Sequence, residues 1–356
     1  MFITYYKANK PNTTNISYAD LATTTIPETP TKYYKVTQKT DKITTHASLN
    51  HINAIHDAFN ILEPFIHTHT QHYRVFQIPK RSGGLRTIHA PNPEFKEALS
   101  KVKNIFEQRL KCLPHDAAYA YVKNRSVKDA LIKHQNNNSN WYLKIDLKDF
   151  FPSCTPGLIF DALYELHPFC TLPKPDLVKL KTIIDVCCLN NGLPQGTPMS
   201  PILTNLLMVR YDYAIYNYLK RGTGEHYVYT RYADDILISS KSKFDWKKLQ
   251  DELAMILAPF QIKKEKTRFG SKNGSNWNLG LMLNKDNNIT LGSEKKRTIK
   301  AMLNNYLRDI KNNIEWSKED RDQLQGHLSY LKNIEPNYYD YILQKYQNKY
   351  NVLLKF

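Results

Sequence analysis

The sequence predicts an α+β chain, and three features of it carry that reading. Short β-prone runs come in pairs joined by tight turns, at residues 73–88 and again at 229–238. Longer stretches between them repeat apolar residues at helical spacing. From Ser293 onward the pattern is helical throughout. The feature that organises the rest is the run Tyr232-Ala233-Asp234-Asp235 followed by Ile236, Leu237 and Ile238. It reads as a hairpin tip holding two adjacent carboxylates, a donor set suited to a divalent cation. Two acids in a turn are more often only a turn, so the other stretches decide.

The bulk numbers fix the class of partner. The chain has 356 residues, enough for two or three lobes around a sizeable core. Its 50 Lys and Arg against 33 Asp and Glu leave a formal charge of +17. Such an excess favours a polyanion, nucleic acid first, over a basic surface that serves solubility alone. There is no apolar run of membrane-spanning length, and the start is too polar for a signal peptide. A membrane role is therefore not expected. The five cysteines are scattered without zinc spacing, and Cys187-Cys188 lie in an apolar run as buried thiols. A reducing cytoplasm fits.

Taken in order, residues 1–47 are rich in Thr, Asn, Pro and Tyr and read as an N-terminal extension. A helix follows through Leu49, Ile52, Ile55, Ala58, Phe59 and Leu62, ending by Pro64. His67, His69 and His72 lack a nearby acid or cysteine and read as a polar lead into a strand. Residues 73–80 and 85–88 form a hairpin turning at Arg81-Ser82-Gly83-Gly84. It carries Arg74, Lys80, Arg81 and Arg86, cations suited to phosphates. Residues 92–110 are a helix. Residues 115–126 interleave Tyr119 and Tyr121 with Lys123 and Arg125, a mixture that can stack bases and hold phosphates or pack a core edge. A short helix over 127–134 and an Asn-rich loop follow.

Residues 141–145 then predict a core strand ending at Asp146, where a carboxylate is costly unless paired or metal-bound. Asp149 reads as a helix start or surface residue, and Phe151 lies five positions after Asp146. Helices are predicted over 158–169 and 174–189. Gly192, Pro194, Gln195, Gly196, Pro198 and Pro201 fix a sharp path before another helix over 202–220. After the Asp-Asp hairpin come a helix over 246–257, a basic stretch with Lys263, Lys264, Lys266 and Arg268, and a turn-strand over 278–283 containing Gly280. Three helices, over 293–310, 318–333 and 338–350, close the chain.

Asp146, Asp234 and Asp235 are the carboxylates that two Mg²⁺ ions about 3.5–4 Å apart need as bridges, with Mn²⁺ a possible substitute. One ion would activate a primer 3′-hydroxyl and the other would hold a triphosphate. Asp146 and Asp234 are the bridging pair, with Asp235 in support. Lys80 and Arg86 carry the charge for the phosphates, and Lys266 could assist the leaving group. Acids alone would also suit a nuclease or phosphatase. The basic hairpin, the aromatic after Asp146 and the Gln195 loop turn the reading towards polymerisation.

These stretches resemble the bacterial reverse transcriptases of the retron and group II intron type, antiphage defence enzymes included. Residues 78–86 resemble their fingers motif, 146–151 the first palm motif, and 192–201 the Pro-Gln-Gly loop. Tyr232-Ala233-Asp234-Asp235 matches the signature; 265–267 resembles the later lysine motif and 278–283 the primer grip. The resemblance implies a right-hand polymerase. Fingers would fill 48–140, an antiparallel palm 141–285 with a fingers insertion near 157–190, and a helical thumb 286–356. It implies that Asp146, Asp234 and Asp235 are catalytic and that the Leu147 carbonyl is a metal ligand. Phe151 becomes the steric gate favouring dNTPs, while Gln195, Lys80, Arg86 and Lys266 contact the nucleotide. Arg74, Arg81, Tyr119, Lys123, Arg125, Tyr232 and Gly280 would contact nucleic acid.

Asp129-Ala130 with His134 stands where retron enzymes carry Asn-Ala and His, and Asn278-Leu279-Gly280 where they often carry Val-Thr-Gly. The implied partners are a structured noncoding RNA that supplies the template, nascent DNA, and an effector protein or further copies of the chain, in antiviral defence. Two other readings stay open. One is a template-independent or protein-primed DNA polymerase, for which the 24 tyrosines offer priming hydroxyls. The other is an inactive RNA-binding scaffold.

Overall fold

The computed structural model describes residues 48–79, 83–221, 226–272, 277 and 280–354. The expected N-terminal extension, Lys80, Arg81, Asn278 and Leu279 lie outside the described residues.

Local signals set the first elements. Helix α1 (Leu49–Leu62) starts at Ser48, whose side chain accepts from the His51 amide, and buries Ala54, Ile55, Ala58 and Leu62. Strands β1 (Tyr73–Pro79) and β2 (Leu85–Pro91) pair antiparallel from Tyr73↔Pro91 to Pro79↔Leu85. The hairpin is exposed along most of its length. Helix α2 (Pro93–Gln108) has Asn92 as its cap and Pro93 in its first turn, where no amide partner is lost. Helix α3 (Val127–Asn136) opens on a capping box in which Ser126 and Asp129 bond each other's backbone.

Strand β3 (Trp141–Asp146) leads into a single helical turn, α4 (Phe150–Ser153), entered through Asp149 at φ 43. Helix α5 (Pro156–Tyr164) is shorter than its periodicity predicts. Its capped end at Glu165 is followed by Pro168, which has no amide to continue the ladder. Helices α6 (Lys174–Cys187) and α7 (Ser200–Arg221) flank the Pro-Gln-Gly loop. Strands β4 (Val228–Tyr232) and β5 (Asp235–Ser240), helix α8 (Trp246–Ile256) and strand β6 (Arg268–Ser271) follow. The ribbon of β7 (Leu281–Leu283) and β8 (Ile289–Leu291) precedes helices α9 (Ser293–Lys311), α10 (Lys318–Ile334) and α11 (Pro336–Tyr350).

The central sheet runs β4-β5-β3-β6 and is antiparallel at each junction. This is the expected antiparallel sheet backed by helices. Strand alternation divides its side chains between two cores. Leu143, Ile145, Ile236 and Ile238 face the larger core, which continues through α1, α2, α5, α6 and α7. Tyr142 and Leu237 face the second, with Leu131, Trp277, β7, β8 and α9 to α11. The Tyr142 and Trp277 rings stack with centroids 5.3 Å apart. Each fully buried aliphatic side chain on the sheet contributes about 1.5–3 kcal/mol. The helical tail thus shares its core with the back of the sheet. Among the described residues no helix is long and apolar enough to cross a membrane.

Between sheet and α3 lies a buried polar chain. His134 is fully buried, with Nδ1 2.6 Å from Ser239 Oγ and Nε2 2.8 Å from Thr230 Oγ1. Ser239 Oγ in turn donates to Ser139 Oγ at 2.7 Å. Burial pushes the His134 pKa down to about 3. Since the unfolded chain takes up that proton near the ordinary value of 6.5, the unfolded state binds more protons between the two values. Stability from this group is therefore full above about pH 6.5 and falls as pH drops towards 3. Between about pH 7.5 and 5 it should cost the fold about 2 kcal/mol. Urea unfolding of wild type and His134→Gln at the two pH values checks this; an equal acid loss in both would refute it.

Candidate active site

Asp146 ends β3 and pairs in register with Asp235, the first residue of β5. Asp234 occupies the adjoining turn, and its carbonyl accepts the Leu147 amide at 3.2 Å. The ladder itself therefore sets the three acids side by side. Each is half-buried. The Asp234 pKa is raised, by burial first and then by the Asp146 and Asp235 carboxylates, with Lys263 opposing.

Two ammonium groups offset that charge. Lys144 Nζ donates to Asp235 Oδ2 at 3.0 Å, diagonally across the strands. Lys263 Nζ donates to Asp146 Oδ1. The chain after α8 brings Lys263 there by extending the ladder: Lys148 N–H bonds the Gln261 carbonyl at 2.7 Å and Lys263 N–H the Asp146 carbonyl at 2.9 Å. With these lysines in place, the described residues hold no ready-made cluster of three His, Cys, Asp or Glu ligands. The donor chemistry fits a divalent cation all the same. Crowded carboxylates that raise one another's proton affinity are relieved by a hard cation bound through oxygen.

The turn between β4 and β5 is tightly held. Ala233 adopts φ 56, a left-handed conformation costly for a residue with a Cβ. Arg231 is 1% exposed and donates from Nη1 to the Ala233 carbonyl at 3.1 Å. Its Nε and Nη2 grip Asp212 of α7 at 2.8 Å each. Tyr229 Oη also donates to Asp212, at 2.5 Å. Burial works against the Arg231 charge, but Asp212 outweighs it and the pKa rises. The Arg231 backbone bonds Ala117 and Tyr119, at 2.7 and 2.8 Å. Asn205 Nδ2 donates to the Ala120 carbonyl at 2.8 Å.

Phe151 stands on α4, half-buried, its ring edge-on to Phe150 at 5.7 Å between centroids. The Leu193 amide bonds the Phe151 carbonyl at 3.0 Å. At Gly192 a Cβ would lie 2.2 Å from the Pro152 carbonyl oxygen, so only glycine permits this approach. Gly196, at φ 110, lies against Ile88 of β2, while the Gln195 carbonyl accepts the His89 amide at 3.1 Å. The far side of the loop is tied down by Ser200 Oγ, which donates to the Pro194 carbonyl at 2.7 Å. The loop thereby joins the hairpin β1–β2 to the sheet.

The remaining residues distribute as follows. Lys144, Asp146, Asp235, Glu265, Lys266 and Arg268 line a cleft of about 340 Å³. Lys266 stands on its wall, whereas Lys263 makes the direct contact with an acid. Arg74, Arg86 and Lys123 are exposed, and Tyr232 and Gln195 are half-buried. Gly280 lies in the turn before β7 and is half-buried. Leu147 is buried. Two expectations need correction. Tyr119 is 5% exposed, so its ring is not available to a base. Arg125 spends its guanidinium inside the loop, on the His115 and Ala118 carbonyls and on Asp116. The exposed aromatic of that stretch is Tyr121, 55% accessible.

Residues 78–302 match the family model for reverse transcriptase (RNA-dependent DNA polymerase). The Retron Ec73 reverse transcriptase of Escherichia coli is 32% identical over 76% of this chain and 86% of its own. The Retron Ec83 reverse transcriptase of the same organism is 30% identical over 77% and 87%. Among solved structures, apo telomerase from Candida tropicalis aligns over 74% of this chain and 57% of its own at 15% identity, with a TM-score of 0.45. The chain belongs to the reverse transcriptase family, in its bacterial retron type. It is an RNA-directed DNA polymerase with the right-hand fold, and that family requires a divalent metal.

Arg231→Met would leave the buried Asp212 charge without its cation, held by the Tyr229 hydroxyl alone, at a cost of about 3–5 kcal/mol. Adding Asp212→Leu should restore part of that loss, because the stranded charge is then gone. Urea midpoints of both variants test this; a double variant no more stable than the single one contradicts it.

Proposed function

We propose that Asp146, Asp234 and Asp235 hold two Mg²⁺ ions, with Mn²⁺ able to substitute and the Leu147 carbonyl as a further ligand. The observation that carries this is the cross-strand register of Asp146 with Asp235, with Asp234 in the turn beside them. Bound there, the metals supply positive charge to the attacking hydroxyl and to the triphosphate. The protein's own part is placement. The β3–β5 ladder fixes two acids and the Arg231 bond to Ala233 steadies the turn that bears the third. Lys144 and Lys263 place positive charge directly against Asp235 and Asp146.

Arg86, with Lys80, holds the triphosphate. Gln195 contacts the incoming nucleotide or template, and Phe151 blocks a ribose 2′-hydroxyl. Lys266 and Arg268 on the cleft wall neutralise phosphate charge. Lys123 and Arg74 on the surface add to a basic footprint for nucleic acid. The template is a structured noncoding RNA, and the setting is antiviral defence in the cytoplasm. The retron relatives support an RNA template, and the excess of Lys and Arg supports a nucleic-acid partner.

Asp234→Ala together with Asp235→Ala is expected to abolish Mg²⁺-dependent dNTP incorporation and leave RNA affinity within about threefold. Incorporation at the wild-type rate would rule out the assignment. Phe151→Ala is expected to admit ribonucleotides, measured as the ratio of kcat/KM for dNTP over rNTP; an unchanged ratio removes Phe151 from that role. Sequencing the RNA and DNA that copurify with the protein tests the template: a defined RNA with matching cDNA is expected, and DNA matching no RNA would overturn it.

A further inference from the structure

Tyr121 has three properties that core packing does not account for. Its ring is 55% exposed. Its backbone is left-handed, at φ 60, which for a bulky side chain costs of the order of 1 kcal/mol. Its neighbours nonetheless pin it in place: Tyr119 N–H bonds Arg231, the Ala120 carbonyl accepts from Asn205, and Arg125 ties the Ala118 and His115 carbonyls. A strained, exposed aromatic on a rigid loop marks a surface kept for a ligand.

Its surroundings say which ligand. The Tyr121 ring meets Phe151 edge-on, with centroids 6.4 Å apart and planes at 75°. Its phenol is raised in pKa by partial burial first, then by the Asp234 carboxylate, with Arg86 opposing. The side chain therefore sits among the acid turn, the hairpin cation and the aromatic of α4. Those are the groups that would surround an incoming nucleoside triphosphate. Phe150 also meets the Phe151 ring edge-on, with centroids 5.7 Å apart. Phe151 thus touches two rings, and its own backbone is fixed by Leu193 and by the Gly192 contact with Pro152.

We propose that Tyr121 is a specificity-determining residue, forming with Phe151 a two-ring wall of the sugar pocket. The inference rests on the reading of Phe151 as the steric gate. A lone ring on a single helical turn can swing aside when a 2′-hydroxyl presses on it. Tyr121 blocks the space into which it would swing, so discrimination belongs to the pair.

Tyr121→Ala should lower the dNTP over rNTP ratio of kcat/KM by about tenfold or more, the scale of a modest change in pocket shape. Tyr121→Phe should keep the wild-type ratio. Tyr121→Asn, which suits left-handed backbone, should behave as Ala does and separates ring loss from backbone effects. In a double-mutant cycle, Tyr121→Ala on Phe151→Ala should add nothing further. Two outcomes overturn the inference while the gate reading stands. One is a wild-type ratio in Tyr121→Ala and Tyr121→Asn when Phe151→Ala admits ribonucleotides. The other is two losses that multiply independently. A wild-type ratio in Phe151→Ala itself overturns the gate reading, and this inference with it.

Discussion

The structure depends on one buried ion pair. Arg231 and Asp212 are both removed from water, and neither could stand there alone. Together they lock helix α7 to strand β4, and the remaining arginine nitrogen reaches the turn that bears Asp234. The same residue's backbone holds the loop that carries Tyr121. A single side chain therefore ties the helix, the acid-bearing turn and the aromatic loop into one block. A pair of this kind gains little net stability over apolar residues of the same volume. Here it fixes geometry that an apolar contact, being non-directional, would leave loose.

Strand β3 plays the matching part inside the sheet. Its odd-numbered residues Leu143 and Ile145 anchor the larger core. On its other face Tyr142 enters the second core, Lys144 reaches Asp235, and Asp146 ends in the cleft. A one-residue slip of this strand would bury Lys144 and Asp146 and expose aliphatic side chains. The register that aligns Asp146 with Asp235 is thus enforced by burial over the whole strand, not by the acids, which repel each other.

Much of the fold was legible because it is written locally. Apolar periodicity marked the first helix through Ile55, Ala58 and Leu62, and β-prone runs joined by tight turns marked both β-hairpins. The three acids were legible as types at strand ends. What escaped was non-local. Lys263 reaches Asp146 only because the chain returns beside β3 after α8, so the neighbouring Lys266 drew attention instead. Lys144 could have been found, since it shares a strand face with Asp146 at a spacing of two. Arg231 shares a face with Tyr229 in the same way, and Asp212 lies among buried residues of α7. Two charges of opposite sign in apolar settings are a usable sign of a buried pair. Tyr119 and Tyr121 look equivalent in sequence; the positive φ at Tyr121 separates a buried ring from an exposed one.

The hairpin β1–β2 is mechanically a cantilever. Its strands are exposed over most of their length, and Gly83 and Gly84 at the far end have open space around them. It is clamped at its root, where Tyr73 and Asn92 pack and bond beside His72 and α2. One further fastening lies partway along, where His89 bonds Gln195 and Ile88 touches Gly196. A load placed on Arg86 therefore acts through a long lever arm on a short one. A small deflection at the fastening would shift the Gln195 loop, and the loop's other end at Leu193 bears on Phe151. The hairpin that bears Arg86 and the aromatic ring of Phe151 are thus joined through the backbone of one short loop rather than by separate contacts.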